Sequence, residues 1–155
     1  MDNYNIGEIY QFAIRIEENG EKAYRYFAEK FAGNKEIKGL FINLADEEVS
    51  HKNIFENMVE NIQDYSSSSE YPEEYFLYIR AFADTVLFSK KNIEKEQIAT
   101  IDEAFEFAMK KELDTINYYN ALKNYVDFKH HNKIDDIIKQ EQNHFLRLYN
   151  ISEKR

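Results

Sequence analysis

The sequence predicts an all-α chain folded as one four-helix bundle. Three observations carry that reading. Four long stretches repeat apolar residues at steps of three and four, the spacing of one buried helix face. One proline and four glycines are all the breakers in 155 residues, which favours long uninterrupted helices. The first and last parts of the chain also repeat each other, as two matched helical hairpins do.

The first helix is expected at about 5–32, with Ile6, Tyr10, Ala13, Glu17, Gly20, Tyr24, Phe27 and Phe31 on its inner stripe. Gly33-Asn34 should stop it, and Asn34 can cap the next helix. That helix is expected at about 35–63, with Ile37, Phe41, Leu44, Glu48, His51, Phe55, Met58 and Ile62 facing inward. The serine run Ser66–Ser69 reads as surface loop. Pro72 suits the first turn of a short helix, about 72–88, with Tyr75, Phe76, Ile79, Phe82, Ala83 and Val86 on its buried side. Lys90 to Gln97 reads as a solvated loop. Thr100 and Glu103 form a capping box for the third long helix, about 101–128, which carries Ile101, Phe105, Ala108, Glu112, Thr115, Tyr119, Leu122 and Val126. After the polar break Lys129-His130-His131-Asn132, the last helix is expected at about 133–149, with Ile134, Ile137, Glu141, His144 and Leu148 inside and Ile151 beyond. Short connections make helices one and two, and three and four, antiparallel pairs. The crossover 64–100 is long enough to run the length of the bundle. Residues 1–155 are read as one domain.

The net charge of −9 argues against a nucleic-acid partner, since phosphate binding needs a basic face. No run of eighteen apolar residues offers a membrane span, and no basic segment followed by an apolar one opens the chain, so a cytoplasmic location is expected. Without cysteine there is no disulfide, thiolate-bound zinc or iron–sulfur cluster. Exposed apolar residues such as Phe12, Phe76 and Tyr78 suggest a homodimer face.

Each of the four long stripes carries one carboxylate at its middle: Glu17, Glu48, Glu112 and Glu141. Four buried carboxylates repel one another and are costly to desolvate, so something positive must offset them. No stripe carries Arg or Lys, but two of the four histidines lie on the stripes, each three residues after an acid: Glu48 with His51, and Glu141 with His144. Residues three apart share a helix face, so each pair can point into the core together. Glu17 precedes Glu48 by 31 residues and Glu112 precedes Glu141 by 29, so the hairpins match. Two Glu-x-x-His helices, with one glutamate from each of the others, form the ligand set of di-iron and di-manganese bundles. Four carboxylates balance two divalent ions. Mixed oxygen and imidazole donors suit iron or manganese, and zinc less well; two iron ions are expected. Tyr24 and Tyr119 each lie one heptad past a glutamate, where a phenol can reach a ligand carboxylate. The off-stripe Glu18, Asp46 and Glu47, and the acid–histidine pair Asp127 and His130, are expected at the surface.

Several segments resemble the rubrerythrin branch of the ferritin-like superfamily: Ala13-Ile14-Arg15-Ile16-Glu17-Glu18-Asn19-Gly20 with Tyr24, Leu44-Ala45-Asp46-Glu47-Glu48 with His51, Ala108-Met109-Lys110-Lys111-Glu112 with Tyr119, and Glu141 with His144. The resemblance implies a ferritin-like four-helix bundle with Glu17 and Glu112 as terminal ligands, Glu48 and Glu141 bridging two metals, and His51 and His144 each binding one metal. No catalytic residue is implied apart from these ligands. It further implies an oxidoreductase that reduces hydrogen peroxide or dioxygen at a di-iron centre. Better-known rubrerythrins carry a four-cysteine rubredoxin domain, which this chain lacks, so electrons are expected from a separate donor protein. They also carry another glutamate one turn after the third-helix ligand, where this chain has Thr115. The remaining set resembles bacterioferritin as well, and with it a ferroxidase or iron-handling role. Val49 stands where bacterioferritin places its haem methionine, and few residues follow His144, so neither haem nor a cage is expected.

Overall fold

The computed structural model describes residues 6–61, 73–87 and 95–155. Five α-helices, and no strand, occur among them: α1 (Ile6–Lys30), α2 (Lys35–Glu60), α3 (Glu73–Phe82), α4 (Ile101–Leu122) and α5 (His131–Glu153). The serine run, Ile62, Pro72, the loop to residue 94 and the side chains of Ile6, Tyr75, Phe76 and Val86 lie outside the described residues.

Local chemistry sets the helix ends. The Asn34 side chain accepts the Ile37 N–H and opens α2. Thr100 accepts the Glu103 N–H, while the Glu103 carboxylate accepts the Ala99 N–H, one residue earlier than the standard reciprocal box. The short helix ends in a π turn, Ala83–Leu87, and Lys95–Gln97 form a 3₁₀ turn. The third long helix stops earlier than its periodicity suggests. It passes into a 3₁₀ turn at Lys123–Tyr125, and the chain is extended at Val126. Asp127 accepts the Lys129 N–H there, a local bond that competes with continued helix. The last helix consequently begins at His131, not 133, and extends to Glu153.

Two apolar layers fill the bundle. One joins Ile9, Tyr10, Phe55, Met58, Tyr118, Leu122, Ile134 and Ile137; Ile79 and Ala83 of the crossover pack on it. The other joins Phe27, Phe41, Leu44, Phe105, Ala108 and Leu148, with Ile98. The early part of α1 thus meets the late parts of α2 and α4 and the early part of α5. Adjacent helices run antiparallel, and the crossover travels from one layer to the other. On all four long helices the polar stripe residues fall between these layers. Aromatic rings line both sides: Phe41 stacks on Tyr24 at 5.8 Å, and Phe55 lies 5.2 Å from Tyr119.

Phe12 does not stand free as expected; it packs partly buried against the first layer. Tyr78 is 58 % exposed. His130 is not fully solvated, for its ring meets Tyr10 edge-on at 6.2 Å.

Candidate metal centre

Glu17, Glu48, His51, Glu112, Glu141 and His144 are all buried, none more than 1 % exposed. They divide into two overlapping groups. Glu17, Glu48, His51 and Glu141 each offer a ligand atom within 4.8 Å of the others, and so do Glu48, Glu112, Glu141 and His144. Glu48 and Glu141 belong to both groups. The helical period explains the convergence: each Glu-x-x-His pair occupies one face, and antiparallel packing brings the faces of α2 and α5 together.

The imidazoles hold fixed orientations. Their rings stack at 5.5 Å, tilted by only 17°. His51 Nδ1 lies 2.9 Å from Glu141 and 3.5 Å from Glu17. His144 Nδ1 lies 3.0 Å from Glu141 and 3.4 Å from Glu48, close but not aligned as a hydrogen bond. The outer nitrogens are held from behind. His51 Nε2 bonds Gln140 Oε1 at 2.7 Å. His144 Nε2 bonds Glu47 at 2.5 Å, and Arg147 holds the same carboxylate oxygen at 2.6 Å. Such outer contacts orient an imidazole that ligates through its other nitrogen. Glu47 is therefore more than the surface charge its off-stripe position suggests. Glu18 and Asp46 do pair near solvent, with Lys52 and Arg25.

The two phenols bond crosswise. Tyr24 of α1 donates to Glu112 of α4, and Tyr119 of α4 donates to Glu17 of α1. Thr115, between Glu112 and Tyr119 on α4, is buried, and its hydroxyl has no hydrogen-bond partner.

The electrostatics show crowded charge. Burial, then the charges of Glu48 and Glu141, push Glu17 well above the usual carboxylate range. Burial, then Glu141, brings Glu112 to about 7. Burial and Glu48 also press on Glu141, but its close contacts with His144 and His51 bring it down to about 2. Burial opposes charge on His51, yet its bonds to Glu141 and Glu17 raise it to about 11. His144 is raised by the same kind of contact, against its burial. Glu48 is lowered despite burial, chiefly by Lys111. This lysine brings to the cluster a cation that the stripes themselves lack. It precedes Glu112 and lies off the stripe, but its stem turns inward and buries Nζ. The only sequence signal was Gly20 on the facing helix, which leaves the space that Nζ uses.

The donor set fits two metal ions. Oxygens of Glu17, Glu48, Glu112 and Glu141, and Nδ1 of His144, are buried without hydrogen-bond partners. Buried polar atoms rarely remain so, and a cation satisfies all of them at once.

The chain is similar to known proteins in sequence and in fold. A solved structure from Thermotoga maritima, assigned as a ferritin-like diiron-carboxylate protein, is 28% identical to the chain with a TM-score of 0.74. The match covers 96% of this chain and 95% of that one. No curated protein matches. The rubrerythrin family profile matches residues 8–152, nearly the whole chain, so the chain belongs to the rubrerythrin family.

Proposed function

We propose that the protein is a di-iron redox protein that reduces hydrogen peroxide or dioxygen with electrons from a separate donor. The observation that carries this reading is the sharing of Glu48 and Glu141 between two ligand groups, each completed by one histidine and one further glutamate. Glu17 and His51 would hold one ion, Glu112 and His144 the other. When bound, the two irons supply the pair of electrons that reduction of peroxide to water consumes.

The chain's own residues do the remaining work. Tyr24 and Tyr119 fix the carboxylates of Glu112 and Glu17. Gln140 and Glu47 keep the imidazoles turned inward. The apolar layers on either side exclude water, which strengthens every electrostatic interaction between them. With no cysteine in the chain, no rubredoxin-type site can supply electrons from within it. The helices of the described residues include none long and apolar enough to cross a membrane.

The test is anaerobic reconstitution with ferrous iron, metal analysis, and stopped-flow mixing with peroxide and with dioxygen. The expected result is about two irons per chain and faster reaction with peroxide. Absence of bound transition metal after reconstitution would refute the reading. Thr115 favours a second reading, because it leaves the four-glutamate, two-histidine set of an iron-oxidising protein. Sustained consumption of ferrous iron far beyond two per chain, with ferric product retained, would select that alternative.

A further inference from the structure

The cluster has two unlike sides. The α2–α5 side is closed by the stacked histidines, whose outer nitrogens are bonded to Gln140 and Glu47. The α1–α4 side holds Tyr24, Tyr119, Gly20, Lys111 and Thr115. Lys111 Nζ is buried there without a hydrogen-bond partner. Gly20 makes its position available: a Cβ on Gly20 would lie 2.6 Å from Nζ and 3.0 Å from Glu48 Oε2. The ammonium also lies 5.5 Å from the centre of the Tyr24 ring. Thr115 occupies the position on α4 that repeats Gly20 on α1, and its hydroxyl is likewise buried and unpartnered. Two buried groups able to donate thus remain unpaired on one side of the cluster.

Charge counting says what they require. On the di-metal reading above, on which this inference rests, two divalent ions cancel four carboxylates, and the histidines ligate as neutral rings. Lys111 then leaves the loaded centre with one positive charge in excess, and a buried charge without a partner is strongly disfavoured. A small anion of single charge supplies both the missing charge and the missing acceptor. We propose that Lys111, in the space left by Gly20, makes the α1–α4 side of the centre a binding site for a small monoanion of the size of azide or hydroperoxide, with the Thr115 hydroxyl as a second donor. Lys111 is then a specificity-determining residue: a neutral ligand of the same size gains nothing from the ammonium.

The rival account is that Lys111 merely offsets Glu48 while no metal is bound. Azide titration of the protein loaded with cobalt(II), read by visible absorption, separates the two. Lys111→Met and Lys111→Gln are compared with the unaltered chain, and bound cobalt is counted in each. The expected result is one azide per two cobalt ions in the unaltered chain. In the variants, azide should bind about tenfold to a hundredfold more weakly, the worth of a charged hydrogen bond, with both metals retained. Should the Met variant lose cobalt, the Gln variant, which keeps a polar head, decides. Equal azide affinity with and without the lysine overturns the proposal, and so does a cobalt-loaded chain that ignores azide. A chain that takes up no cobalt overturns the di-metal reading as well, and the cobalt count tells the two failures apart.

Discussion

Glu112→Gln is expected to stabilise the protein without metal and destabilise it with metal. Burial and the nearby charge of Glu141 raise the Glu112 carboxyl to about 7 from an ordinary 4.5. Each pKa unit corresponds to about 1.4 kcal/mol of preference between protonation states. Ionised Glu112 therefore costs the metal-free fold on the order of 3 kcal/mol. The sign follows from linkage. The raised group favours the fold below the unfolded pKa near 4.5, and that advantage is lost as pH rises through about 7. Glutamine matches the shape, can still accept from Tyr24, and carries no charge. In chelator at about pH 8 its melting temperature should therefore exceed that of the parent by roughly 6–12 °C, an upper figure because an amide only approximates a protonated carboxyl. With ferrous or manganous ions the order should invert, because an anionic donor is gone. Anaerobic thermal melts with chelator and with metal measure both arms. A purely structural Glu112, held as the charged partner of His144 and Tyr24, would lose stability in both arms on substitution, and that result would refute the reasoning.

Metal loading should expel protons. His51, raised to about 11 against its burial, and His144, raised likewise, are protonated in metal-free protein at neutral pH. Their contribution to the metal-free fold is present below an unfolded pKa of 6.5 and fades as pH rises through about 11 for His51. Two divalent ions should release at least about two protons per chain at neutral pH, measurable by pH-stat, and binding should tighten as pH rises. Tyr24→Phe and Tyr119→Phe should fold normally but weaken metal binding by about 10- to 100-fold, as loss of an orienting hydrogen bond does; unchanged calorimetric titrations would count against the crosswise role. Glu141→Ala should abolish full occupancy, whereas Glu18→Ala should not, since Glu18 pairs with Lys52 near solvent; equal metal content in the two variants would show that the buried stripe is not the ligand set.

The convergence of the buried glutamates and histidines was legible because it depends on local periodicity. Glu48 and His51 share a face whatever surrounds them, and the same holds for Glu141 and His144. The helix stripes, the Asn34 and Thr100 caps and the long crossover were readable for the same reason. The end of the third long helix was less legible. Val126 keeps the apolar period, and only the competing bond from Asp127 to Lys129 N–H shows why helix gives way there. Lys111 was missed because stripe counting follows Cβ directions, whereas a lysine stem can carry its charge across to the neighbouring stripe. Glu47 and Gln140 were missed likewise: each reaches a histidine on another helix, a relation that no spacing within one helix contains.

The three missed residues, Glu47, Lys111 and Gln140, share one position, immediately before a stripe glutamate, which on α1 is filled by Ile16. The glutamates and histidines obey the repeat of the two hairpins, and the residues before them break it. On α2 and α5 these residues turn to the histidines' outer nitrogens, where one histidine meets a carboxylate anchored by Arg147 and the other meets an amide. On α1 the corresponding residue is Ile16, committed to an apolar layer, and on α4 it is Lys111, whose ammonium enters the cluster. The repeat thus fixes where the matched glutamates and histidines converge into two overlapping groups. The residues beside the repeat make those groups unequal: His144 is backed by an anion and His51 by a neutral group. Because outer contacts set the basicity of a ligating imidazole, ions bound as proposed would occupy two positions of different character.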